Sequence, residues 1–168
     1  LIILEMGGSS RQCAMLRKGQ RVVVMGPTGS PTHVPHGEEV ILAGGGLGNA
    51  VLFSIGKALR SAGNRVLYFA AYKSPKDVYH VDDIEAASDQ IVWSVDAGET
   101  IPARRPQDRS FRGNVVQAML SYATGGMGAG VFPLSCAKRI IAIGSDRMMA
   151  AVARSRKEVL APHLGPHV

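Results

Sequence analysis

The run Gly44-Gly45-Gly46-Leu47-Gly48-Asn49-Ala50 constrains the fold of this chain more than any other feature. It joins a short apolar stretch, Glu39–Ala43, to a stretch with helical patterning, Asn49–Ala62. Within Asn49–Ala62, Val51, Ile55, Ala58, Leu59 and Ala62 recur at helical spacing and predict one apolar face. Gly63-Asn64 then ends the helix as a C-cap. Arg65–Ala71 follows, apolar after its first residue, as expected of a central parallel strand covered on both faces. A strand entering a helix through glycine and returning as a strand is the start of a parallel, doubly wound architecture.

The remaining segments extend that rhythm. Val81–Ser88 is predicted as a helix, Ile91–Val95 as a strand, Asn114–Thr124 as a helix and Arg139–Ile143 as a buried strand. A last helix is expected from Ser145 to His163, and Gly125–Gly130 is a break. Ala97–Arg112, with Pro102, Pro106 and arginines at 104, 105, 109 and 112, is expected as a surface loop. Ahead of the α/β pattern, Leu1–Met6 and Arg21–Met25 read as strands, separated by a turn at Gly7–Ser10 and closed by Gly26-Pro27-Thr28-Gly29-Ser30-Pro31. Two short strands cannot bury themselves alone, so residues 1–36 are expected to be the edge of a neighbouring β-domain. Residues 37–168 form the α/β domain. The expected fold class is α/β with a doubly wound parallel sheet.

Composition narrows the function classes. The chain has 168 residues, 46% of them apolar and 19% charged, which suits one packed domain and excludes disorder. Twenty glycines exceed the usual share of about 7% and point to tight turns or close approaches of backbone to a ligand. The net charge of +6 keeps anionic partners open. No aromatic stacking surface or known module accompanies it, so nucleic acid is not expected. No apolar run approaches the ~20 residues that cross a bilayer, and no signal peptide is visible. A cytoplasmic protein is expected. The start at Leu1 suggests a fragment or a processed product. Cys13 and Cys136 make neither a disulfide framework nor a four-ligand metal site, and no metal site is expected.

In an open parallel sheet, ligands bind beyond the carboxyl ends of the strands. The first such end is Gly44–Ala50, where a phosphate could meet backbone N–H groups at the positive end of a helix dipole. The spacing is not G-x-G-x-x-G, and a tight turn for close helix–strand packing satisfies the same pattern. S-adenosylmethionine enzymes also use such loops, but they expect an acid at the next strand end. That second end is Tyr72-Lys73-Ser74, which carries no acid. Tyr72 could stack on an adenine, and Lys73 and Ser74 could meet a ribose phosphate. The third is Gly144-Ser145-Asp146: helix capping explains Ser145 and Asp146 but not Gly144. The turn Asp96-Ala97-Gly98-Glu99 is a fourth.

Gly26-Pro27-Thr28-Gly29, Gly44–Ala50, Asp96-Ala97-Gly98 and Gly144-Ser145-Asp146-Arg147-Met148-Met149, in that order, resemble the ferredoxin–NADP reductase superfamily of flavoproteins. Within it, the chain looks most like dihydroorotate dehydrogenase electron-transfer subunits and the small subunits of sulfide dehydrogenase and NADH-dependent ferredoxin–NADP oxidoreductase. The resemblance implies the end of an FAD-binding β-barrel over residues 1–36, then an NAD(P)-binding α/β domain. It implies that Gly44, Gly45, Gly46, Leu47, Gly48, Asn49 and Ala50 cradle the NAD(P)H pyrophosphate. Tyr72, Lys73 and Ser74 would lie by the adenosine ribose. Asp96 and Gly98 would lie near the nicotinamide side, and Gly144, Ser145, Asp146 and Met149 at the nicotinamide–flavin contact. Gly8, Ser9 and Ser10 would touch the FAD phosphates. Val51 departs from the family's proline, and Ile143 and Ser145 from its Cys and Pro around Gly144.

The resemblance also implies a [2Fe–2S] cluster in the intact protein. This chain's two cysteines cannot hold one. The expected role is therefore the NAD(P)H lobe of a flavin- and iron–sulfur-dependent oxidoreductase, partnered by a flavin lobe and an electron-transfer subunit. An assembly lobe without redox chemistry is the alternative. No general acid–base pair is called for, and by itself the chain is expected to bind nucleotide weakly and reduce nothing.

Other features read as structural: His33 and His36 in a loop, His80-x-Asp82-Asp83 opening a helix, and Cys136 as a small buried hydrophobe. The four arginines of Ala97–Arg112 read as a solvated face, or as a dock for an acidic partner.

Overall fold

A computed structural model describes residues 2–166 and 168. The chain divides into two compact units, Leu1–His33 and Val34–Val168.

The second unit is a five-stranded, wholly parallel sheet. Its strands are β1 (Glu39–Gly45), β2 (Arg65–Tyr72), β3 (Gln90–Val95), β4 (Arg109–Arg112) and β5 (Arg139–Ile143). The spatial order is β4-β3-β2-β1-β5. In this unit, the helices are α2 (Asn49–Ser61), α3 (Val81–Ala86), α4 (Val115–Ala123) and α5 (Asp146–Ser155). The period-two alternation of the strands feeds two separate cores. Val40, Leu42, Val66, Tyr68, Ala70, Ile91, Trp93 and Val95 pack with Leu52 and Leu59 of α2 and Ile84 of α3. Ile41, Ala43, Leu67, Phe69 and Val92 pack with α4 and with Val152 of α5 on the opposite face. The expected doubly wound sheet is present, and the continuous apolar run in β2 serves both faces.

Three details differ from the sequence reading. The buried stripe of α2 is Asn49, Leu52, Gly56 and Leu59, whereas Val51 is 50% exposed. Gly56 decides the helix face, because a Cβ there would lie 2.5 Å from the Ala87 carbonyl oxygen. Only glycine admits such an approach, and a hydrophobicity pattern counts it as a gap. The segment expected to be a surface loop contains β4 and buries Ile101 and Asp108. Finally, α5 ends at Ser155, with only a short 3₁₀ turn at Ala161–His163 beyond it.

The first unit carries one helix among its described residues, α1 (Gly8–Ala14), where a turn was expected. The strands expected in Leu1–Met6 and Arg21–Met25 do not form among the described residues, and Val23 is 95% exposed. A strand needs a neighbour to satisfy its backbone, and no second strand pairs with either segment. No helix among the described residues is long and apolar enough to cross a membrane.

Candidate functional site

The strand order reverses between β1 and β5: β2, β3 and β4 extend to one side of β1 and β5 lies on the other. Such a switch point opens a crevice at the carboxyl ends of the two strands. Here the crevice is formed by Gly44–Gly48 after β1 and by Gly144 after β5. A Cβ on Gly144 would lie 2.9 Å from Met148 Sδ and 3.3 Å from the Gly45 Cα, and one on Gly45 would lie 3.4 Å from Met148. The two strand ends thus meet backbone to backbone, and side chains at either position would fill the gap between them.

The glycines of the loop have separable reasons. At Gly44 a Cβ would fall 1.8 Å from Asn49 Oδ1, and at Gly48 it would fall 2.1 Å from the Ile143 carbonyl oxygen. Both positions are therefore required by packing, which was the plain structural alternative for this turn. Gly46 differs: its φ is +53°, and a Cβ there meets nothing within 4 Å. Packing does not explain a left-handed backbone that faces open space.

A buried polar network holds the loop. Asn49, fully buried, donates from Nδ2 to the Gly46 carbonyl at 3.0 Å and to the Ala71 carbonyl at 3.4 Å. Its Oδ1 accepts from the Tyr68 hydroxyl at 3.0 Å. Tyr79 donates to the Gly46 and Leu47 carbonyls at 3.1 and 3.2 Å. Burial raises the Tyr79 hydroxyl above its ordinary range, against a smaller lowering by the Ala50 N–H, so it remains a donor at neutral pH. Gly46–Gly48 winds as a 3₁₀ turn directly into α2, so the first N–H groups of this helical stretch have no acceptor within it.

The other expected residues are set along the same edge but not all together. Ser145 caps α5, its Oγ accepting from the Met148 N–H at 3.3 Å, with Asp146 in the first turn and Met149 half-buried. Asp96 and Ala97 donate their N–H groups to the Tyr72 and Lys73 carbonyls at 3.1 Å, and Gly98 packs on Pro75. The Asp96–Gly98 turn is therefore joined to Tyr72–Ser74. Strand order separates it from Gly144 by three interstrand steps, about 14 Å at ~4.8 Å each.

Lys73 is exposed, whereas Ser74 caps the turn that follows it, and the Asp77 carboxylate folds back onto the Ser74 N–H at 3.1 Å. Tyr72 is only 3% exposed. Its ring stacks towards Trp93 and meets Tyr79 edge-on, so the face offered to an adenine by the sequence reading is directed inward. Its hydroxyl is buried and unpartnered, as are Trp93 Nε1 and Ser94 Oγ, all in the carboxyl halves of β2 and β3. Burial, chiefly, raises the Tyr72 hydroxyl far above the usual tyrosine range.

Gly8, Ser9 and Ser10 form the first turn of α1 in the separate first unit, and Ser10 Oγ already accepts from the Met6 and Gly7 N–H groups. The Ser10 hydroxyl is therefore engaged within its own turn. The arginine-rich segment is structural in large part. Arg105 pairs with the buried Asp108 and donates to the Glu85 and Ser88 carbonyls. Arg109 donates to four carbonyls, including those of Met127 and Ala129, and Arg104 pairs with Asp82 and Glu85. Cys136 is exposed rather than buried. His80 and the two aspartates do open α3, and no cluster among the described residues could hold a metal ion. Two concavities, of about 380 and 550 Å³, lie at the opposite, amino-end edge of the sheet.

Tyr68 and Tyr79 were missed as site residues. For Tyr68 a signal existed: a tyrosine in a fully apolar strand needs a buried partner for its hydroxyl. Nothing in the sequence links Tyr79 to Gly46.

No family model matches the chain. It is 28% identical over 115 residues to a dihydroorotate dehydrogenase B (NAD(+)) electron transfer subunit homolog of Thermotoga maritima, covering 67% of this chain and 41% of that protein. It is 30% identical over 93 residues to the electron transfer subunit of Bacillus pumilus, covering 54% and 36%. The chain thus spans about two fifths of the length of these relatives. The structure of an NADH-dependent reduced ferredoxin–NADP oxidoreductase superposes with a TM-score of 0.68 and 23% identity, over 90% of this chain and 49% of that one, which establishes the fold. The chain is thus similar in sequence to dihydroorotate dehydrogenase B electron transfer subunits and shares the fold of that oxidoreductase.

Proposed function

We propose that the Val34–Val168 unit binds a pyridine dinucleotide along the carboxyl edge of its sheet, as the NAD(P)H lobe of a flavin-dependent electron-transfer subunit. The observation that carries this reading is the crevice between β1 and β5, lined by Gly45 and Gly144, where a Cβ on Gly144 would come within 3.3 Å of the Gly45 Cα. A cleft of bare backbone at a switch point, beside the N-terminus of α2, suits an elongated anionic ligand. The name of the relatives, dihydroorotate dehydrogenase B (NAD(+)) electron transfer subunit, supports the same ligand class.

In this reading the nicotinamide and a flavin supply the redox chemistry when bound, and the chain's own residues do the positioning. The pyrophosphate sits on the N–H groups at the start of α2, with Asn49 keeping the loop in place from below. Lys73 offers its charge to the adenosine end, and the nearby Asp77 carboxylate is turned onto the Ser74 N–H. Gly144 and Ser145, at the end of β5, border the nicotinamide end. No residue is assigned a proton transfer. Residues 1–36 are proposed as the closing edge of the flavin lobe and 37–168 as the nucleotide domain. The flavin and an iron–sulfur centre belong to the whole protein, whose electron acceptor and partner subunit are part of the proposal.

The test is titration of the ¹⁵N-labelled chain with NADH, NADPH and S-adenosylmethionine. Amide shifts at Leu47, Gly48, Lys73 and Gly144 with a pyridine nucleotide are expected. Shifts only with S-adenosylmethionine would overturn the reading. No shift at millimolar nucleotide would favour an assembly lobe.

A further inference from the structure

The loop that faces the proposed pyrophosphate is held by a side chain from a different part of the chain. Tyr79 leaves the segment after β2, and its hydroxyl reaches the Gly46 and Leu47 carbonyls at 3.1 and 3.2 Å. In a trans peptide the C=O of one residue and the N–H of the next point in opposite directions. Holding the Gly46 carbonyl therefore turns the Leu47 N–H away from Tyr79, and holding the Leu47 carbonyl does the same for the Gly48 N–H. We propose that Tyr79 is a positioning residue of the nucleotide site, which fixes two consecutive peptide planes so that the Leu47 and Gly48 N–H groups face the pyrophosphate. The inference rests on the nucleotide reading above.

Three further observations fit this role. The Tyr79 ring is anchored edge-on against Tyr72 at 6.1 Å, and Tyr72 in turn stacks towards Trp93 at 6.5 Å, so the hydroxyl is delivered from a braced aromatic row. Asn49 donates to the same Gly46 carbonyl from Nδ2, at 3.0 Å, and from its backbone N–H, so the oxygen most able to repel an anion is covered by three donors. Leu47 is 39% exposed, so this residue of the loop is not packed beneath its neighbours.

The experiment compares wild type, Tyr79→Phe and Tyr122→Phe by amide-shift titration with NADH, NADPH and adenosine. Tyr122 carries a hydroxyl on the opposite face of the sheet, more deeply buried than that of Tyr79 and bonded to Gln90 and Phe132. Loss of the Tyr79 hydroxyl is expected to weaken the dinucleotide about 3- to 10-fold and leave adenosine within about twofold, while Tyr122→Phe changes neither beyond about twofold. A purely structural role would weaken adenosine and dinucleotide together. That outcome, or unchanged dinucleotide affinity in Tyr79→Phe, overturns the proposal. A second measurement needs no variant: in wild type the Leu47 and Gly48 amide protons should exchange freely without nucleotide and become protected at saturation. Protection in the free protein would overturn the outward orientation. Failure of wild type to bind either dinucleotide would instead overturn the functional reading.

Discussion

Replacing Asn49 by alanine should unseat the loop from beneath, and its cost can be built up from the structure. Asn49 is fully buried, accepts from the Tyr68 hydroxyl at 3.0 Å and donates to the Gly46 carbonyl at 3.0 Å. Removing the acceptor leaves a buried phenol without a good partner, at roughly 1–3 kcal/mol, and losing the donor adds about 1 kcal/mol. The total is about 2–4 kcal/mol. With a urea m-value of about 2 kcal/mol/M, the midpoint should fall by roughly 1–2 M. Trp93, the single tryptophan and 1% exposed, reports unfolding through its fluorescence. The decisive arm is the double-mutant cycle with Tyr68→Phe. Once the hydroxyl is gone, Asn49→Ala no longer strands it, so the double variant should be more stable than the sum of the singles implies by about 1 kcal/mol. A cost below about 0.5 kcal/mol, or a cycle without coupling, would refute the network as the loop's support.

Two other outcomes are expected. Arg105→Ala strands Asp108, whose side chain is fully buried, and should cost about 3 kcal/mol, whereas Arg112→Ala, at an exposed position, should cost under ~0.5 kcal/mol. Equal losses in urea melts would restore the segment as a solvated loop. Tyr68 and Tyr72 have hydroxyls raised by burial, so the folded chain keeps protons that the unfolded chain releases above pH ~10. Their contribution is complete below that pH and is lost as pH rises, at about 1.4 kcal/mol per pH unit for each tyrosine. Urea midpoints at pH 9 and 11 should show the loss, and Tyr72→Phe should reduce it; ionisation of Tyr72 in the folded state near pH 10 would contradict it.

The sequence marked the site's glycines more clearly than its other parts. A strand–glycine–helix junction is written in consecutive residues, so Gly44–Gly48 and the start of α2 were legible. The reasons for individual glycines were not. Gly44 answers to the Asn49 side chain and Gly48 to the Ile143 carbonyl, and the latter contact joins residues that share no local pattern. The same holds for β4, a four-residue edge strand whose half-exposed alternation is indistinguishable from a polar loop without its neighbour. Tyr72 read as a residue at a strand's open end, but α3 and the segment before it fold over it.

What the chain determines by itself is therefore whatever repeats locally: the apolar runs of β1, β2, β3 and β5, the helical spacing of α2 and α4, and the glycine punctuation between them. Periodicity is a property of neighbouring residues, and burial on two faces of a sheet imposes it directly. Only the tertiary structure decided which way α2 turns, because one glycine, Gly56, lets backbone approach backbone. It also decided that β5 lies beside β1 and so opens the crevice, and that Tyr79 reaches Gly46 across 33 residues. Strand order and long-range hydrogen bonds arise from contacts between segments distant in the chain, and no local pattern encodes them.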